Sequence, residues 1–119
     1  MESINIEEHL ASWLDARMGV PVLWEVPNPR PSSFVTVERT GGQRDSVVVD
    51  RPVLAIQCWA ASRAEASRLA YEVDALLPGF ACEPGITKAS RNSLYNHPDT
   101  DGAKIRPRYQ IVADLVTTF

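Results

Sequence analysis

The stretch that decides the fold is Asp50–Phe80, DRPVLAIQCWAASRAEASRLAYEVDALLPGF. It reads as one strand running directly into one helix. Val53–Ala60 is a mostly apolar run with β-branched and aromatic residues, as a strand requires. Pro52 suits a first strand position, where no ladder donor is needed. On a pleated strand Leu54, Ile56 and Cys58 share one face, and Val53, Ala55, Gln57 and Trp59 share the other. Both faces are largely apolar, which predicts a central strand covered above and below.

The helix begins at Ser62. Ser62 and Glu65 have the spacing of a capping box, in which each side chain satisfies an orphan donor of the first turn. Ala66, Leu69, Ala70, Val73, Leu76 and Leu77 then follow helical spacing on one side. Arg63, Glu65, Arg68, Glu72 and Asp74 fall on the other. Pro78-Gly79 is expected to end the helix, Gly79 taking the left-handed closing turn.

Upstream, Ile4–Met18 reads as an amphipathic helix with Ile6, Leu10, Trp13 and Leu14 as its apolar stripe. Asn5 with Glu8 is its cap, and Gly19 and Pro21 close it. Val22–Val26 is a short strand. Pro27–Pro31 forbids helix, and Phe34–Arg39 alternates as a strand. Thr40–Asp45 is an exposed loop or hairpin turn. Val47–Val49 extends the next strand backwards, with Asp50-Arg51-Pro52 as a bend or bulge.

Downstream, Ile86–Tyr95 is a polar edge strand, Asn96–Lys104 a long polar loop, and Arg106–Phe119 a long closing strand. The last two strands are expected to pair antiparallel through that loop. The order α-β-β-β-α-β-β predicts one α+β domain over residues 1–119, a mainly antiparallel sheet with two helices packed on one face. The other sheet face would leave Val53, Ala55 and Trp59 wet, which argues for a partner surface.

At 119 residues the chain can bury a core without staples. A net charge of -3 points away from a nucleic-acid coat or a polybasic membrane patch. No apolar run reaches bilayer length, and MESINIEEHL has no basic n-region, so it is not read as a signal peptide. Cys58 and Cys82 are read as reduced thiols.

The sequence offers no arrangement that reads as a catalytic residue, cofactor site or metal site. His9 and His97 share no ligand spacing with each other or with Cys82. Asp99-Thr-Asp101-Gly102 opens like a calcium loop, but Lys104, Arg106 and Arg108 follow where a bidentate acid is needed. A polar turn is the better reading. No serine sits in a nucleophile elbow, and no Lys-Ser/Thr follows Gly41-Gly42. Glu7/Glu8, Glu72/Asp74 and Asp99/Asp101 read as solvated acids rather than acid–base pairs. Trp13, Trp24, Trp59 and Met18 are assigned to the core.

Charges of both signs gather at two loops. Arg39, Arg44, Asp45, Asp50 and Arg51 flank Gly41-Gly42; Asp99, Asp101, Lys104, Arg106 and Arg108 flank the second loop. Mixed signs suit a subunit interface better than a nucleic-acid groove, where one sign should dominate. Ordinary solvated loops are the competing explanation.

Three motifs, in this order, resemble the small tail-terminator (tail-completion) proteins of long-tailed bacteriophages and prophages. Pro31, Phe34, Val35, Val37, Gly41 and Gly42 match a Pro-x-x-Phe-Val-x-Val-x-x-x-Gly-Gly segment. Arg51, Pro52, Trp59, Ala60, Ala66, Leu69, Ala70, Val73 and Leu76 match the strand and helix that follow. Asp99, Asp101, Gly102, Pro107, Arg108 and Tyr109 match the turn into the last strand, although Pro98 precedes Asp99 where the family's Pro follows.

The resemblance implies a structural virion protein with no turnover and no cofactor. Its subunits would form a ring, expected as a hexamer, on the head-proximal end of the tail tube. That ring ends tube polymerisation and offers its other face to the connector or stopper proteins of the neck. The implied partners are other copies of the chain, the tail tube protein and the neck protein. DNA passes through the lumen only transiently, and assembly takes place in the host bacterial cytoplasm. The two charged loops are the expected contact residues. The alternatives are another phage neck or head-completion protein, or a small α+β ligand-binding or enzymatic dimer.

Overall fold

A computed structural model describes residues 5–118. Helix α1 (Ile6–Asp15) is followed by β1 (Val22–Leu23), β2 (Phe34–Arg44) and β3 (Val49–Trp59). Helix α2 (Arg63–Leu76) runs into a 3-10 segment (Leu77–Cys82), then β4 (Ile86–Asn96) and β5 (Arg108–Thr118). The sheet order is β1-β2-β3-β5-β4, with β1 parallel to β2 and every other pair antiparallel. This is the expected α+β architecture. The connection from β3 through α2 passes over β5 to reach the edge position of β4, and β5 returns between them.

Register explains the core. Val35, Val37, Leu54, Ile56, Cys58, Ile111, Ala113 and Leu115 point to one face and are closed off from solvent. Ile6, Leu10, Ala11 and Leu14 of α1 and Ala66, Ala70 and Val73 of α2 join the same buried cluster, so both helices cover this face. Trp13 meets Phe80 edge-on, with ring centres 5.3 Å apart, tying α1 to the 3-10 segment. The Asn5 side chain accepts from the Glu8 amide at 3.2 Å, and Ser62 accepts from the Glu65 amide at 3.2 Å. Both caps fall at the positions the sequence indicates.

Several local expectations are corrected. Helix α1 ends at Asp15, where Asp15 turns to accept the Val22 amide at 3.0 Å; Ile4, expected to start it, lies outside the described residues. Beside that end, the Arg17 guanidinium lies over the Trp13 ring at 4.1 Å. β1 is two residues long, not five, and Trp24 beyond it is half exposed rather than core. Pro78 and Gly79 do not close α2; they continue into the 3-10 segment, which Pro tolerates in its first turn. The backbone irregularity of the hairpin lies on β2 between Arg39 and Gly41, while Asp50, Arg51 and Pro52 are regular residues of β3. The left-handed backbone is at Gly42, φ 98°, where an added Cβ would lie 2.0 Å from the Arg51 carbonyl oxygen. Only glycine fits that position.

The sheet face away from the helices is the largest correction. Trp59 and Ala55 are not left wet: they are 6% and 4% exposed. Trp59 stacks on Phe34 with ring centres 5.3 Å apart and planes at 11°. Arg108 and Arg30 lie over the Trp59 ring at 4.8 and 5.2 Å. Val53, also expected wet, is half-buried, and so are Val112 and Val116; the remaining residues of this face are largely polar. Thr36, Gln57, Gln110 and Tyr95 occupy one row across four strands. Gln57 donates to Gln110 at 2.9 Å, and Gln110 donates to the Tyr95 hydroxyl.

Candidate functional site

β3 separates the two charged loops. The β2–β3 turn lies beyond Val49 at one end, and the β4–β5 loop lies beyond Trp59 at the other. Ten residue steps of strand put them roughly 33 Å apart. They cannot form one site within a subunit.

At the hairpin end most of the charges are used internally. Arg39 donates to both carboxylate oxygens of Asp50, at 2.7 and 3.0 Å, and to the Gly41 carbonyl at 2.9 Å. These bonds hold the Asp50 carboxyl below its ordinary pKa despite partial burial, and the paired carboxylate raises that of Arg39. Arg51 pairs with Asp45. The Ser46 hydroxyl accepts from the Val48 and Val49 amides and tightens the turn. The tip itself is apolar: Val47 is 83% exposed and Val48 49%. Arg39, Asp45, Asp50 and Arg51 therefore build the hairpin, and what the tip offers outward is Val47 and Val48.

The second loop divides in the same way. Asp99 is buried. Its backbone exchanges hydrogen bonds with Arg106, its carboxylate accepts the Asp101 amide at 3.0 Å, and Arg30 stands 3.8 Å away. This is a polar turn closed by Gly102 at φ 104°. Arg108 donates to the His97 carbonyl at 2.8 Å and covers Trp59. Lys104 and Arg106 differ from these: their side chains make no hydrogen bond or ion pair among the described residues, and Ile105 between them is 71% exposed.

Two surface depressions bear on these segments. One of about 420 Å³ is floored by Phe34 and Trp59 and walled by Arg30, Asp101, Lys104 and Ile105. The other, about 670 Å³, lies where the segment after β1 crosses the polar sheet face, between Trp24, Val26, Glu7, Glu25, Glu38 and Gln57. Sequence reading missed the second. Trp24 is followed by Glu25 and precedes Pro27, a break in apolar periodicity that marks an exposed residue.

Among the described residues, no three His, Cys, Asp or Glu side chains converge to hold a metal. His9 lies 3.2 Å from Glu83 and meets Phe80 edge-on, which is a packing role. Cys58 is buried, and burial pushes its thiol up to about 12, so it is not a nucleophile near neutral pH. Arg63 donates to the Tyr109 hydroxyl at 3.2 Å, tying α2 to β5 and lowering the phenol's pKa. No helix among the described residues is long and apolar enough to cross a membrane.

No protein-family model matches the chain, and no curated protein matches it.

Proposed function

We propose that this chain is a ring-forming structural subunit of a long-tailed bacteriophage, acting as a tail terminator. Copies assemble, as a hexamer in the reading taken from the resemblance, on the head-proximal end of the tail tube. There they stop tube growth and present a joining surface to the neck. The job needs no turnover; it is done by covering the tube end and leaving no surface to which another tube ring can add.

The observation that carries this reading is the placement of exposed apolar side chains. Val47/Val48, Trp24/Val26 and Ile105 project from three different loops; Glu25 separates Trp24 from Val26, and Lys104 and Arg106 flank Ile105. A subunit that must meet neighbours on more than one side needs separate patches of this kind, and a closed ring needs two that differ. The three motifs of the resemblance support the same reading; the first and third lie in the β2–β3 hairpin and the β4–β5 turn that carry Val47/Val48 and Ile105.

The test is to add the purified protein to growing tail tubes and image them. The expected result is density on one end only, with tube length arrested. Tubes that lengthen normally and carry no added density would overturn the proposal.

The depression over Phe34 and Trp59 favours one alternative, a small-ligand module, because it pairs an aromatic floor with Arg30 and Asp101. Saturable binding of a small anionic or aromatic compound, lost in Arg30→Ala, would support that reading instead.

A further inference from the structure

We infer that the Lys104-Ile105-Arg106 loop of one copy docks head-to-tail into the Trp24/Val26 groove of a second copy. This inference rests on the reading of the chain as a self-assembling subunit, and names the contact that would join neighbours.

The groove presents two large apolar side chains, Trp24 at 50% and Val26 at 43% exposure. Glu25 and Glu38 stand on its rim, and neither enters a hydrogen bond or ion pair among the described residues. Glu7, also on the rim, accepts the Arg39 amide at 3.1 Å. A groove with two exposed apolar side chains and acids on its rim, two of them unpaired among the described residues, is complementary to an apolar residue flanked by cations. The chain carries such a segment in Ile105, 71% exposed between Lys104 and Arg106 on the wall of the other depression. The burial of a central tryptophan and an aliphatic knob would supply affinity, and the flanking charges would set register and partner choice. The same groove would repel a second groove, and the same loop a second loop. The two patches come from separate segments, one after β1 and one between β4 and β5. A contact between unlike patches propagates from copy to copy and closes into a ring when the rotation allows.

The test uses the full chain with Cys82→Ser, which removes the exposed native thiol, plus Val26→Cys and Ala103→Cys, which border the contact and keep Trp24 and Ile105. Both positions are on the surface, so the fold is kept. Mild oxidation is expected to give a ladder of cross-linked species ending at one closed oligomer, while each single-cysteine variant fails to build that ladder. Separately, Glu25→Lys/Glu38→Lys and Lys104→Glu/Arg106→Glu should each weaken self-association by on the order of tenfold or more. Mixing the two reversed proteins should restore assembly, because each groove then meets a loop of opposite sign.

Oligomers in light scattering with no cross-link and no effect of charge reversal would overturn the contact and leave the ring reading standing. A ladder that stops at the dimer would support the contact and overturn the ring. A protein that stays monomeric at millimolar concentration and gives no cross-link would overturn the contact, and the ring reading would then be decided by tube capping alone.

Discussion

Arg39 and Asp50 form a two-point ion pair across the β2–β3 hairpin, with N–O distances of 2.7 and 3.0 Å. Asp50 is nearly buried beneath it and lies directly opposite Arg44 in the strand register. The pair also spans the irregularity at Arg39/Gly41, where the ladder is interrupted, so it closes the hairpin at its weakest point.

A dependence on acid follows. The Asp50 carboxyl titrates lower in the fold than in the unfolded chain, chiefly because Arg39 donates to it. Its contribution is therefore present above the unfolded carboxylate pKa, and is lost as pH falls through that value towards the folded one. Asp50→Asn should cost about 1–2 kcal/mol near neutral pH. Between about pH 6 and pH 3 it should lose less stability than the parent. Urea unfolding at both pH values checks this, and equal losses in the two proteins would exclude a stabilising role for the pair.

Gly42 and Gly41 should respond differently to the same substitution. Gly42→Ala forces an L side chain into φ 98° and onto the Arg51 carbonyl, whereas nothing lies within 4 Å of a Cβ at Gly41. Gly42→Ala should cost on the order of 1–3 kcal/mol, and Gly41→Ala should be close to neutral. Thermal melts of the two variants decide it.

Trp59 should be the most costly aromatic to remove from the polar sheet face. It is stacked on Phe34, covered by Arg30 and Arg108, and its indole N–H donates to Thr36 at 3.4 Å. Trp59→Ala should lose about 3–5 kcal/mol, while Trp59→Phe keeps the stack and loses less. Trp24→Ala, by contrast, should leave stability within about 0.5 kcal/mol of the parent, because its side chain is half exposed.

The two thiols should separate cleanly. Cys82 is exposed and Cys58 is buried beneath the helices with its pKa raised to about 12. A thiol reagent at neutral pH should titrate one cysteine in the folded protein and two in denaturant. Two rapid equivalents without denaturant would contradict the packing of β3.

What the chain's own periodicity determined is the helix-covered half of the molecule. Leu54, Ile56 and Cys58 alternate on β3, and Ala66, Ala70 and Val73 recur at helical spacing. Asn5 and Ser62 cap their helices by bonds to amides three residues on. These are short-range relations, so they can be read along the chain. Which charges remain available to a partner was decided elsewhere. Arg39, Asp50, Arg51 and Asp45 are consumed within the hairpin, and Asp99 and Arg108 within the second loop, while the Lys104 and Arg106 side chains make no hydrogen bond or ion pair among the described residues. Trp59 is buried because Arg30 and Arg108, distant from it in sequence, arrive over its ring; Trp24 is half exposed on its own segment. Alternation specifies which way a side chain points. Only the path of distant loops through space decides whether anything covers it.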